Sequence, residues 1–188
     1  MVGIHRIFTL LAILSAITGL PVLCESQLPT IDIPQVTEVT PELWRGAEPD
    51  DVVLAALAKN GCKTVIDLRM KDQTAEAIAV RKLGLKYVHI PLGYFAPGRP
   101  AVEKFLQITT DPAAQPVFVH CRQGKDRTGV LVGIYRSVVQ HWDFDQVYAE
   151  MREHHFRPWL WFFRETVEEA QKNYRNPQDS LAVERQKI

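Results

Sequence analysis

Cysteine is scarce in this 188-residue chain, three in all, and that scarcity excludes a fold stapled by disulfides. Charge of one sign is not in excess either: 22 lysines and arginines meet 22 aspartates and glutamates. A neutral chain gives no global attraction to nucleic acid or to an acidic membrane, so no nucleic-acid partner is expected. No internal repeat or low-complexity run interrupts the sequence. His154 and His155 have no HExxH or CxxC spacing around them, so neither a metal nor another cofactor is expected. What is present, 46% hydrophobic and 23% charged residues, is the composition of one globular domain large enough for a real core.

Long apolar runs are missing too, apart from one at the start. His5 and Arg6 precede IFTLLAILSAITGL, a stretch shorter than the ~20 residues that a comfortable membrane span needs. Pro21 to Ser26 then offers a cut near Cys24, so residues 1–24 read as a secretory signal peptide and the protein as exported, periplasmic or secreted. An uncleaved anchor, which would bring membrane contact, and a lipid on Cys24 are the alternatives. The segment carries one arginine and no acid, so its removal leaves the acids ahead by one. Cys62 and Cys121 then remain, at opposite ends of parallel strands, which predicts a buried and free Cys62 rather than a disulfide.

The informative stretch is Val117 to Gly129, VFVHCRQGKDRTG. A short apolar run ending in His120 reads as a buried strand, and GVLVGIYRSVVQ after Thr128 reads as a helix. Between them, Cys121 and Arg127 flank a loop centred on Gly124, so backbone N–H groups and a helix N-terminus converge on one point, where an anion fits. Helix termini and guanidinium groups also favour the thiolate, the nucleophilic form of cysteine. A nucleotide P-loop is excluded because Asp126 stands where Ser or Thr should hold magnesium and Val119 where the first glycine should be.

HCRQGKDRTG resembles the signature loop of the cysteine-dependent protein tyrosine and dual-specificity phosphatases: His-Cys, five residues, Arg, then Thr or Ser. The resemblance implies that Cys121 attacks phosphorus to form a phosphocysteine. It further implies that Arg127 grips two phosphoryl oxygens, that the Thr128 hydroxyl assists release of the thiolate, and that His120 supports the loop. The planar fork of Arg127 suits a trigonal-bipyramidal phosphoryl group as a lysine would not. Arg122, Gln123, Gly124 and Lys125 complete the phosphate cradle. Rhodanese-like and arsenate-reductase-like thiol loops also use a cysteine cradle, but the RTG ending favours the phosphatases.

The likeness covers roughly Pro41 to Ala170. Before it, residues 25–40 hold Pro29 and Pro34 without helical period and read as a tether or edge segment; a phosphatase domain follows over 41–175 and a polar tail over 176–188. ELWRGAEP is similar to the opening strand of small secreted bacterial phosphatases of this type, with Trp44 in the core and Arg45 in a salt bridge or at the site mouth. Asp50 or Asp51 caps a helix closed by Gly61. TVIDLR reads as a buried strand whose Asp67 and Arg69 hold loops around the site. Glu76 to Leu83 is the next helix and Lys86 to Ile90 the next strand.

One family feature is absent. Pro91 to Pro100, PLGYFAPGRP, holds no carboxylate, although relatives carry a mobile aspartate there as general acid. Asp126 is the best substitute, and its place before Arg127 resembles that of myotubularin-type lipid phosphatases; Asp72 and Glu103 are weaker candidates, and capping of the following helix is Asp126's other reading. Arg122 and Lys125 give the rim a likeness to inositol-phosphate and phosphoinositide phosphatases. Phe144 to His154 and Pro158 to Asn173 read as helices. Trp159, Phe163, Val167 and Ala170 share the core face of the second, which leaves Trp161 and Phe162 for a membrane or a partner.

Strands and helices alternating up to the loop predict an α/β fold, a mostly parallel central sheet flanked by helices, with the cradle at a strand's carboxyl end, and the resemblance implies the same, a dual-specificity phosphatase-like fold. The expected activity is a monomeric phosphatase hydrolysing phosphotyrosine or phosphoserine/threonine proteins through phosphocysteine, without metal. The alternatives are an inositol polyphosphate or phosphoinositide phosphatase, a phosphate-binding module without turnover, and a thiol-redox or sulfur-transfer protein.

Overall fold

The structure, a computed structural model, describes residues 32–71 and 73–174. The expected signal peptide, residues 25–31 of the tether, the polar tail and Asp72 lie outside the described residues.

Five strands form one sheet in the order β1-β2-β5-β3-β4. These are β1 (Val36–Thr40), β2 (Leu43–Gly46), β3 (Thr64–Asp67), β4 (Lys86–His89) and β5 (Val117–His120). β1 pairs antiparallel with β2, and the remaining pairs are parallel. Gly46 and Asp67 both sit beside His120 in register, so three strands end at one level and the segment after β5 emerges between its two neighbours.

Alternation along the strands separates two apolar layers. Val117 and Val119 of β5, with Ile66 of β3, face a core that includes Phe105, Leu131, Ile134 and Phe163. Phe118 and Val65 face the other way, onto Trp44, Leu54, Leu57 and Val80. Helices α1 (Asp51–Lys59) and α2 (Thr74–Lys82) cover the second face. α3 (Arg99–Thr109), α4 (Asp126–Val138), α5 (Phe144–Glu153), α6 (Trp161–Glu168) and α7 (Ala170–Asn173) supply the first. Every residue from Thr128 to Val138 is buried, which makes α4 the axis of that layer. Phe118 is fully buried, and truncating such a ring to alanine costs about 3–5 kcal/mol.

Two expectations about elements need correction. The segment read over residues 25–40 as a tether or edge segment ends in a true edge strand, because four of the five residues of VTEVT are β-branched and Thr40 turns the chain by accepting from the N–H groups of Glu42 and Leu43. The second C-terminal helix does not begin at Pro158: α6 starts at Trp161 and the helical path breaks at Glu169. His155 takes a left-handed backbone, φ 61°, and residues 154–160 form an irregular turn, so Trp159 leaves the predicted core face and is 68% exposed. Phe163, Val167 and Ala170 are buried as expected.

Asp50 caps α1, its Oδ1 accepting from Val53 N–H at 2.8 Å, and Gly61 follows with φ 86°. Cys62 is buried and unpaired. No helix among the described residues is long and apolar enough to cross a membrane.

Candidate active site

β5 delivers Cys121 to the end of the sheet and α4 starts at Asp126, so residues 121–125 turn the chain from strand to helix. That turn is possible only with glycine in two places. Gly124 has φ 69°, and a Cβ there would fall 2.6 Å from the carbonyl carbon and oxygen of Gly46. A Cβ on Gly46 would strike Gln35 O at 2.7 Å and the Phe118 ring at 2.9 Å. The loop therefore rests directly on the end of β2.

Arg45 explains why it stays there. The guanidinium is neither at the mouth nor in a salt bridge; it is 2% exposed beneath the loop and donates from Nη2 to Gly124 O at 3.0 Å. Burial pushes its pKa down to about 10, against an opposing pull from Glu150. A cation thus lies buried directly behind the cradle.

A second brace comes from β3 and α2. Arg69 donates Nε and Nη2 to the two carboxylate oxygens of Asp67, each at 2.9 Å, and pairs with Glu76 and Glu48 as well. Burial alone would raise Asp67, but the Arg69 hydrogen bonds outweigh it and hold the carboxyl below its ordinary range; Tyr87 Oη donates to it as well, at 2.8 Å. Glu76 Oε1 lies 2.9 Å from His120 Nε2, while His120 Nδ1 faces Cys121 O at 3.4 Å and the ring stacks on Phe118. His120 is thus tied, through Glu76, to the Asp67–Arg69 network. Asp67, Glu76 and His120 present ligand atoms within 4.8 Å of one another, but Arg69 and Tyr87 already engage the carboxylates, which leaves the cluster ill suited to a cation.

Above the loop opens a cavity of about 300 Å³. Cys121, Arg122, Gln123, Asp126 and Arg127 form its floor. Gly93 and Tyr94 supply one wall, and Arg157, Leu160 and Phe163 the other. Cys121 is 3% exposed and lines this opening. Gly124, Lys125 and Thr128 are not among the lining residues: Gly124 touches β2, Lys125 is half-buried at the N-cap of α4, and Thr128 is buried. The Thr128 hydroxyl has no hydrogen-bond partner among the described residues, an uncommon state for a buried polar atom.

Asp126 opens α4 without capping it. Its side chain is 8% exposed and turned to Arg157: Oδ1 accepts from Arg157 N–H at 3.1 Å, and Oδ2 accepts from Nε at 2.9 Å and from Nη2. These hydrogen bonds raise the Arg157 pKa. Glu103 is exposed and bonded to Arg99. Arg157 and Glu76 escape a reading of the sequence: each lies more than thirty positions from its partner in the loop, and no local motif marks either. A guanidinium at the pocket wall is announced only by the irregular turn around Pro158.

The family model described as DSP-PTPase phosphatase fused to NAD+ kinase matches residues 29–172. NAD kinase 2, chloroplastic, of Arabidopsis thaliana is 36% identical over 103 residues, half of this chain and 10% of that protein. The chain spans about a tenth of the chloroplastic NAD kinases it matches. Dual specificity protein phosphatase TpbA of Pseudomonas aeruginosa is 30% identical over 115 residues, 61% of this chain and 51% of that one. The catalytic core of the PP-IP phosphatase SIW14 from Saccharomyces cerevisiae superposes with a TM-score of 0.68 at 21% identity, over 85% of this chain and 96% of that one. The shared sheet, and a signature loop seated between its central strands, agree with the family model: this chain belongs to the dual-specificity-type cysteine phosphatases, in the family described as DSP-PTPase phosphatase fused to NAD+ kinase.

Proposed function

We propose that this chain is an exported, monomeric phosphatase that hydrolyses phosphate monoesters through a phosphocysteine. One observation carries the reading: Cys121 and Arg127 line one cavity, over a loop braced from below by Arg45. In the first step the Cys121 thiolate attacks phosphorus, the P–O bond to the leaving group breaks, and the departing oxygen takes a proton. In the second, water attacks the phosphocysteine, the S–P bond breaks, and phosphate leaves while the thiolate is restored. Arg127 and the loop N–H groups stabilise the charge on the equatorial oxygens in both steps. The unpartnered Thr128 hydroxyl is available to the sulfur as it departs.

Asp126 carries the proton in this reading, and Arg157 is the group that must yield, since both carboxylate oxygens accept from it before substrate arrives. A phosphate dianion entering beside Arg157 supplies the competing acceptor. The test is a leaving-group comparison. Asp126→Asn should keep most turnover of p-nitrophenyl phosphate and lose about 10²-fold or more on a phosphate with a poor leaving group. Equal losses on both substrates would count against proton transfer by Asp126.

Phosphotyrosine and phosphoserine/threonine proteins are the first substrate class. Inositol polyphosphates are the second, favoured by Arg122 and Arg157 in the pocket and by a 42% identical stretch of 53 residues shared with SIW14, named an inositol diphosphatase. Rates on matched panels of phosphopeptides and inositol phosphates separate them.

A further inference from the structure

Around the mouth of the Cys121 pocket the protein exposes aromatic rings that its fold does not use. Tyr94 is 79% and Phe95 82% exposed on one lip; Trp159 is 68% and Trp161 66% exposed on the other. The lips touch, because the Phe95 and Phe162 rings lie 6.4 Å apart, and Trp161 continues the row edge-on to Phe162 at 5.9 Å. With ~150–250 Å² per ring, four such side chains leave an apolar surface of order 600 Å². That is the upper end of what a monomer ordinarily shows, ~300–600 Å².

Charge on the same lips is lopsided, although the whole chain is balanced. Residues 91–102 hold no acid and carry Arg99; residues 121–125 hold none and carry Arg122 and Lys125; residues 154–164 hold none and carry Arg157 and Arg164 with two histidines. Asp126 and Glu103 answer Arg157 and Arg99, and the balance stays positive. Tryptophan, tyrosine and phenylalanine interleaved with cations is the chemistry of a surface that lies in the headgroup layer of an acidic membrane.

We propose that this rim is an interfacial binding surface that seats the pocket mouth on an anionic lipid bilayer. The rings enter the boundary between headgroups and acyl chains, while the exposed Arg122 meets lipid phosphates beside them. The surface stands apart from the phosphatase reading, because binding requires no turnover.

The test titrates the full chain with vesicles of phosphatidylcholine, with or without phosphatidylserine, in which part of the phosphatidylcholine is brominated to quench tryptophan fluorescence. Residues 1–31 contain no tryptophan, Trp44 is buried in the core, and the half-buried Trp142 between α4 and α5 is replaced by phenylalanine in every protein titrated, so quenching reports on the rim rather than on insertion of the N-terminal apolar run. The expected result is quenching that strengthens with phosphatidylserine and weakens with salt. In F95S/W161S, where Trp159 remains as reporter, the half-point should move about tenfold or more to higher lipid, with p-nitrophenyl phosphate turnover unchanged. Absence of quenching, or an identical half-point in the variant, would overturn the proposal. So would a variant that binds vesicles normally but loses turnover of a phosphopeptide, which would make the rim a protein-recognition surface.

Discussion

Gly124 is the residue on which the cradle's shape depends most. Its backbone is left-handed, and the space a Cβ would need is filled by the backbone of Gly46, which has no flexible end to move aside. Gly124→Ala should therefore lift the loop off β2 and separate Cys121 from Arg127. The expected outcome is a fall in kcat/KM of about 10²-fold, the scale of an ångström-sized misplacement, with a smaller loss of stability. Steady-state kinetics and thermal unfolding of one preparation check both. The glycine's place in the loop is plain in the sequence, but the reason for it is not, since Gly46 lies far away in the chain. Arg45 is the same case: ELWRGAEP marks an arginine of consequence, yet only the parallel register of β2 with β5 shows that it works beneath Gly124.

Elements that announce themselves by local chemistry were legible. The strand–loop–helix at residues 117–138, the capped α1 and the alternation of strands with helices follow from periodicity and punctuation. β1 was hidden by prolines on either side of VTEVT, and the start of α6 by a proline whose ordinary place is a first helical turn. At residues 154–160, tertiary contacts override that preference: Arg157 gives its backbone N–H and its side chain to Asp126 rather than to a helix. α5 shows local chemistry prevailing, with a reciprocal cap in which Asp143 accepts from Gln146 N–H at 2.9 Å and Gln146 Oε1 from Asp143 N–H at 3.2 Å. Asp143→Ala should cost about 1 kcal/mol and lower Tm by about 2–4 °C. Since α5 stands away from the pocket floor, phosphatase kinetics should not change; a calorimetric scan beside an assay is the check.

At the scale of the molecule, Cys62 links stability to pH. Its thiol is pushed up to about 11 from an ordinary 9.0, by burial first, against hydrogen bonds with the Thr64 and Phe118 backbones. The folded state thus keeps a proton that the unfolded chain gives up. Stability is full below about pH 9 and falls as the pH climbs toward 11, by roughly 2–3 kcal/mol over the interval. Urea midpoints should shift over that range in the parent and much less in Cys62→Ala, once its lower baseline is subtracted. Cys121 is the opposite kind of cysteine, placed where a ligand can reach it, and the whole arrangement of sheet, loop and buried arginine presents that one sulfur to a phosphoryl group. Acid-quenched digestion during turnover of a radiolabelled phosphate ester tests this most directly. The account predicts label on the peptide containing Cys121, chased off by unlabelled substrate and missing in Cys121→Ser; turnover without that label, or turnover that survives Cys121→Ser, would contradict it.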